Sequence, residues 1–376
     1  MPLSFHSSNT SDIFRDFIEG IKESENYVRV IIDYSLESAV VGGLLCKALR
    51  EFDIAFELIN DLLEIPIDDT KQFLINTEVG RGGSALALMT SNTNAVRRTR
   101  VGYVVGAPVL EEKLLDVISE YIIVPREIKY LLASSILAKH TPRLLRGKLS
   151  LNEEKFISKL EKENLIKKVI GPMIIGWEYL GPEVAVRFSM DLLVLKFFMR
   201  DVSEEVSEDI IAKELGVSKE EIIGSNYIIK HDWCIKDLYY LAYLLMCIVD
   251  EDGVEGLIAA VLNPSTIVWH ALRMYEYLRK LRVAIDEFLV GNWEAEGKFK
   301  VMHIKDPPPL SMLTKILQGL GKIRYDEVVI NELAGKVIIP LQVLSRRSRG
   351  ELRTRAKVEG GYAILSSTDV LSKVGT

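Results

Sequence analysis

Tyr27-Val28-Arg29-Val30-Ile31-Ile32-Asp33-Tyr34-Ser35-Leu36-Glu37-Ser38 is the stretch that decides the fold. Its first half is a short, nearly continuous β-branched run, the signature of a strand buried on both faces of a parallel sheet. Its second half turns polar and leads into Ser38–Phe52, a helix whose small residues Ala39, Gly42 and Gly43 allow close packing. Upstream, Ile13, Phe14, Phe17, Ile18 and Ile21 recur at helical spacing behind Asp12, a candidate N-cap. Downstream, Ile54–Ile59, Phe73–Thr77 and Ala85–Thr90 read as three more strands. Strands separated by helices predict an α/β fold, a mostly parallel sheet with helices on both faces.

Beyond this unit the pattern changes. Leu110–Leu165 is helical and charged, with a polar helix expected over Glu153–Lys168. Arg187–Arg200 is apolar, and Val202–Gly224 reads as a pair of short helices. Lys236–Val249 and Thr266–Phe288 predict long helices, and Val290–Ile304 strand and turn. Pro307, Pro308 and Pro309 break the chain before a helix at Leu310–Leu320. Two strands are expected within Val328–Leu344 and a last hairpin within Arg353–Leu365. The expected division is therefore an α/β domain over 1–173, a helical connector over 174–225 and a smaller α/β domain over 226–376.

Composition narrows the function classes. The chain has 376 residues, a formal net charge of -6 and 48% hydrophobic residues, enough to bury sizeable cores. The acidic balance argues against a histone-like coat of nonspecific nucleic-acid binding. The polar start MPLSFHSSNTS does not read as a signal peptide. The longest apolar run, around Leu238–Val249, is closed by Asp250, Glu251 and Asp252 and is too short to span a bilayer. Cys46, Cys234 and Cys247 lie far apart, which argues against a zinc site or a disulfide framework. Glutamine is confined to Gln72, Gln318 and Gln342 amid plentiful Ile, Glu, Lys and Arg, a balance that points to a thermophile. A cytoplasmic, nucleoid-associated location is expected.

In an open α/β sheet, ligands bind beyond the carboxyl ends of the strands. Those positions hold Asp33-Tyr34-Ser35-Leu36-Glu37-Ser38, then Thr77-Glu78-Val79-Gly80, then Thr90-Ser91-Asn92-Thr93-Asn94. Near the C-terminus stand Ser345-Arg346-Arg347-Ser348 and Glu359-Gly360-Gly361-Tyr362-Ala363.

In this order the motifs resemble the DHH superfamily of phosphoesterases, which includes RecJ. That family carries Asp-Tyr-Asp-x-Asp-Gly, then Asp-x-Gly, then Asp-His-His, and these groups hold two divalent cations that activate water. Here Asp33 and Tyr34 match, while Ser35, Glu37 and Ser38 replace Asp, Asp and Gly. Glu78 and Gly80 stand at the second motif, and Ser91-Asn92-Thr93 or Thr90-Ser91-Asn92 at the third. Two dications need several anionic or imidazole ligands to offset their repulsion, and Ser and Asn oxygens are neutral. The expectation is no metal site, no catalytic residue and no cofactor. At the C-terminus the resemblance implies a DHHA1-like domain, with Tyr362 where the family has His. It also implies nucleic-acid binding by Ser345, Arg346, Arg347, Ser348, Arg349, Gly360 and Gly361, Arg347 standing where the family holds a phosphate.

Within the superfamily, the chain is similar to the degenerate archaeal RecJ-like proteins of the replicative helicase complex. That likeness implies a non-catalytic scaffold that binds the GINS complex and the MCM helicase, with single-stranded DNA as a further ligand and no membrane. The competing reading is a Mn²⁺-dependent single-strand exonuclease or oligonucleotide phosphodiesterase that uses Asp33, Glu37 and Glu78. A third is a stand-alone single-strand binder whose affinity falls with salt.

Plainer readings stand beside these. Asp33 and Glu37 also suit a helix cap and a first-turn acid. Gly80–Gly83 reads more readily as a turn than as a phosphate cradle, and Arg346–Lys357 also suits a protected sheet edge. His140 and His231 read as surface residues, and His270 as core. Lys213–Ile222 resembles half of a helix-turn-helix, though short helix pairs are common. Trp177, Trp233, Trp269 and Trp293 read as core or interface anchors.

Overall fold

The computed structural model describes residues 10–24, 26–62, 66, 68–77, 83–100, 102–141, 149–188, 206–215, 218–344, 349, 352 and 356–366. Two compact units are present. One runs to Leu132 and takes in Leu257–Pro264; the other holds Ala133–Gly256 and the chain from Ser265 onward.

In the first unit, α1 (Thr10–Glu23), β1 (Tyr27–Ile32), α2 (Leu36–Glu51), β2 (Ala55–Asn60), β3 (Gln72–Ile75) and β4 (Ala85–Thr90) follow the expected alternation. They are joined by β5 (Ala95–Arg98), β6 (Gly102–Ala107), α3 (Leu110–Ser119) and the start of α4 (Arg126–Ala138). The strands form a sheet of order β2-β1-β3-β4-β6-β5, parallel throughout except for the edge pair β5–β6. The sequence reading missed β5 and β6.

The order reverses at β1, which pairs with β2 on one side and β3 on the other. That is the topological switch point at which open sheets bind ligands. Ile32 and Ile75 face α2, where Gly42 lets the helix approach so closely that a Cβ would sit 3.1 Å from Ile32 Cγ2. At Gly43 a Cβ would meet Val261 at 2.6 Å. Ile31, Ile59, Leu74, Ala85 and Ala87 form a separate buried cluster. At the other end of β1, buried Arg29 binds both Asp68 carboxylate oxygens, at 3.1 and 2.9 Å, and Glu57 at 3.0 Å.

The second unit begins with α5 (Leu151–Lys162) and β7 (Ile166–Pro172). The polar helix therefore ends earlier than Lys168, because Asn164 takes the left-handed conformation (φ 60) and Ile166-Lys167-Lys168-Val169-Ile170 continues as strand. Next come α6 (Trp177–Leu180), α7 (Pro182–Phe188), α8 (Glu208–Leu215), α9 (Lys219–Ile222) and β8 (Ile223–Ile229). β7 and β8 pair antiparallel and bracket α6 to α9, and Ile174, Ala185, Val186, Ile211, Ala212 and Ile222 share one buried cluster.

α10 (Leu238–Leu262) is longer than expected and kinked at Gly253 (φ 75). After it come α11 (Ile267–Leu289), β9 (Glu294–Glu296), β10 (Phe299–Met302), α12 (Leu310–Gly319), β11 (Val328–Leu333), β12 (Lys336–Pro340), β13 (Lys357–Glu359) and β14 (Tyr362–Leu365). These strands form a second sheet of order β13-β14-β12-β11-β10-β9, in which only β10 and β11 run parallel. The apolar run Leu238–Val249 is buried within α10. Among the described residues, no helix is long and apolar enough to cross a membrane. The chain is thus an α/β protein with a parallel sheet flanked by helices, as the sequence predicted.

Candidate functional site

Three loops meet at the carboxyl ends of β1, β3 and β4. Ser35 is the N-cap of α2, in extended conformation, and its hydroxyl accepts from the Ser38 N–H at 3.3 Å. The same hydroxyl donates to Ser38 Oγ at 2.9 Å. Ser38 Oγ also accepts from Asn76 Nδ2 at 3.2 Å. Asn76, left-handed at φ 51, takes the Thr90 N–H on its Oδ1 at 2.6 Å. The Thr90 hydroxyl donates to Glu37 Oε1 at 2.6 Å. A continuous set of hydrogen bonds thus runs from the first turn of α2 across β3 to the end of β4.

Two further carboxylates stand at neighbouring strand ends. Asp33 is buried just after β1, its N–H donating to the Ile75 carbonyl at 2.9 Å. Asp61 is buried just after β2 and accepts the Tyr34 N–H at 3.2 Å. Ser91 turns away, its hydroxyl donating to the Thr93 carbonyl at 2.5 Å, and Asn92 and Thr93 are exposed. Glu78 and Gly80, the expected second motif, lie outside the described residues. Asn76 was not singled out from the sequence, although an Asn at the end of a short apolar strand is a recognisable left-handed turn former.

The donor set is a poor match for the two dications of the DHH family. Its serine, asparagine and threonine groups are neutral and hydrogen-bonded to one another, and neutral oxygens do little to offset the repulsion of two dications. Among the described residues, no group of three or more His, Cys, Asp or Glu could hold a metal ion.

Three of the seven expected nucleic-acid residues, Arg349, Gly360 and Gly361, lie among the described residues. Ser345, Arg346, Arg347 and Ser348 lie outside the described residues. Arg349 faces the protein: it is 6% exposed, and its Nη1 donates to the Leu344 carbonyl at 3.4 Å. Gly360 and Gly361 sit at the β13–β14 turn, hard against the backbone of α10. A Cβ on Gly360 (φ 55) would lie 2.5 Å from the Glu251 carbonyl oxygen, and one on Gly361 2.1 Å from that of Val249. The Gly361 N–H donates to the Asp250 carbonyl at 3.0 Å.

Asp250 organises that corner. Its carboxylate is fully buried and accepts from the Ser311 N–H at 2.8 Å, the Ser311 hydroxyl at 2.6 Å and Gln342 Nε2 at 2.5 Å. Burial pushes it up to about 7, against the lowering effect of the Ser311 and Gln342 bonds. Tyr362 accepts the Leu310 N–H on its hydroxyl at 3.5 Å.

His140, expected at the surface, is half-buried, and its Nε2 lies 3.1 Å from Glu153 Oε2. His270 is half-buried too, 3.6 Å from Asp252, and burial lowers its pKa.

No family model matches the chain, and no curated protein sequence does. Solved structures do. CDC45 from Entamoeba histolytica is similar over 97% of both chains at a TM-score of 0.59, with 9% sequence identity. RecJ from Thermus thermophilus in complex with Mn²⁺ matches 96% of this chain and 52% of its own, at a TM-score of 0.45 and 14% identity. An exonuclease RecJ bound to manganese matches 96% of this chain and 91% of its own, at 0.42 and 12%. At these identities the likeness concerns fold alone. The chain has an α/β fold that resembles that of CDC45 from Entamoeba histolytica over 97% of its length.

Proposed function

We propose that this chain is a non-catalytic DNA replication factor, a scaffold of a replicative helicase complex that binds GINS and MCM and also contacts single-stranded DNA. The observation that carries the reading is the Ser35–Ser38–Asn76–Thr90–Glu37 hydrogen-bond set. It surrounds the one carboxylate in it, Glu37, with neutral serine, asparagine and threonine groups where a phosphoesterase needs several anions. The motif resemblance and the fold shared with CDC45 supply the replication context. In this reading the division at 173/174 and 225/226 separates the degenerate catalytic fold, the connector and the nucleic-acid-facing domain. Ser345, Arg346, Arg347 and Ser348 supply the nucleic-acid contacts, while buried Arg349 and the closely packed Gly360 and Gly361 play a structural part. A cytoplasmic, nucleoid-associated location and an archaeal thermophilic source go with it.

Asp33 and Asp61, the carboxylates at adjacent strand ends, favour one competing reading, a Mn²⁺-dependent single-strand nuclease. One set of experiments decides between the two. The purified chain is titrated with Mn²⁺ by calorimetry, incubated with labelled single-stranded DNA and Mn²⁺ beside a Glu37→Ala control, and used to capture recombinant GINS and MCM. The scaffold reading expects no saturable Mn²⁺ heat, no cleavage, and capture of both partners. Mn²⁺ binding together with cleavage lost in the control establishes the nuclease instead. Failure to capture GINS removes the helicase assignment.

A further inference from the structure

We propose that the outward face of α11 is the docking surface for an acidic amphipathic helix of a partner protein. The proposal rests on the surface of α11 and goes beyond the replication reading. The inward face of this 23-residue helix buries Ile267, Met274, Tyr277, Leu278, Leu281, Ala284, Ile285 and Phe288. That face is sufficient to fix the helix to its unit. Yet a second apolar set, Val268, Leu272, Tyr275 and Val283, lies exposed on the same helix, joined by Trp269.

Val268, Leu272, Tyr275, Arg279 and Val283 recur at three- and four-residue intervals, so they share one straight stripe. Trp269 is 68% exposed, Leu272 71% and Tyr275 53%. Scattered exposed apolar residues are ordinary on any protein, but a contiguous stripe of large ones marks an interaction site. Tryptophan, tyrosine and arginine together are also the composition of interface hot spots.

Charge selects the occupant. Along α11 stand Arg273, Arg279, Lys280 and Arg282 against Glu276, Asp286 and Glu287, a basic excess in a chain of net charge -6. Lys280 pairs with Glu276 and Asp306, Arg273 with Glu251, and Arg282 with Asp286. Arg279 is exposed between Tyr275 and Val283, with no carboxylate in ion-pair range among the described residues. Two copies of this face would set arginines against arginines, which disfavours self-association. A partner carrying Glu and Asp beside its own apolar stripe complements both features. The stripe's shape fits a helix, because ridges at these spacings pack into the grooves of a second helix laid along the roughly 34 Å axis.

The probe is a synthetic peptide of about 20 residues, with Leu at three- and four-residue intervals and Glu elsewhere. The control is the same peptide with Lys for Glu. Full-length chain is titrated while tryptophan emission is followed. The acidic peptide is expected to give a saturable blue shift that disappears in Trp269→Phe, and an affinity that weakens with salt. Leu272→Glu abolishes binding, and Arg279→Glu weakens it by roughly tenfold or more. Both substitutions are on exposed positions and leave the circular dichroism and thermal unfolding of the chain unchanged. The idea fails if the acidic peptide does not bind, if the lysine peptide binds as well, or if Arg279→Glu has no effect. It also fails if sedimentation shows a dimer of the chain that Leu272→Glu dissociates, since the face would then belong to a second copy.

Discussion

The Thr90 hydroxyl donates to the Glu37 carboxylate at 2.6 Å, which ties the end of β4 to the first turn of α2. A carboxylate that the DHH motif would devote to a metal is here engaged by a hydroxyl. If that bond contributes to folding, Glu37→Ala and Thr90→Val each cost about 1 kcal/mol in urea denaturation. The double variant costs little more than either single one, because both remove the same bond. Full additivity of the two costs would show that the pair contributes nothing.

Arg29 presents an asymmetric case. Its side chain is 4% exposed, whereas its partners Glu57 and Asp68 are 42% and 41% exposed. Removing the arginine leaves two carboxylates that water can reach. Removing both carboxylates leaves a buried guanidinium without its counter-charges, a loss of about 3–5 kcal/mol. The Glu57→Gln, Asp68→Asn double variant is therefore expected to be less stable than Arg29→Met. Equal denaturation midpoints in the two variants would refute this.

Asp250 makes the second unit sensitive to pH. Burial raises its carboxyl to about 7 from 3.8, the Ser311 and Gln342 bonds act the other way, and Glu251 adds to the rise. Between pH 4 and 7 the folded chain thus holds a proton that the unfolded chain releases. This group's contribution to stability is greatest at the acid end of that window. It is lost as pH rises towards 7 and flat above it. Unfolding free energies measured from pH 5 to 8 should fall with rising pH more steeply in the native chain than in Asp250→Asn. The difference is on the order of a few kcal/mol. Parallel pH profiles would mean that Asp250 is already ionised throughout.

The parallel sheet was readable because β1, β3 and β4 are short, local, mostly apolar runs, and the β-branched run of β1 has few other uses. β5 was not, because Ala95–Arg98 is exposed along its whole length and becomes a strand only through its register with β6. β7 was lost for a related reason. Lys167 and Lys168 continue the lysine-rich pattern of α5, and only pairing with β8, far along the chain, makes them strand. In the crevice the sequence located Asp33, Ser35, Glu37 and Ser38, because the motif order points to them. It overlooked Asn76, whose part depends on a left-handed turn and on Thr90 coming to it. For α11, apolar residues occupy both faces, and periodicity alone cannot say which face the fold buries.

Gly361 and Arg347 allow a packing prediction and a binding prediction to be tested independently. A Cβ on Gly361 would collide with the Val249 carbonyl, and carbonyl backbone cannot step aside as a flexible side chain can. Gly361→Ala is therefore expected to destabilise the second unit by about 3 kcal/mol or more, and to lower soluble yield. If Arg347 holds a phosphate, its loss should weaken single-stranded DNA binding uniformly across sequences and reduce the slope of log affinity against log salt by about 1. Fluorescence anisotropy with a labelled oligonucleotide at several salt concentrations measures both quantities. An unchanged salt slope in Arg347→Ala would remove this arginine from the DNA contact, whatever the fate of the helicase assignment.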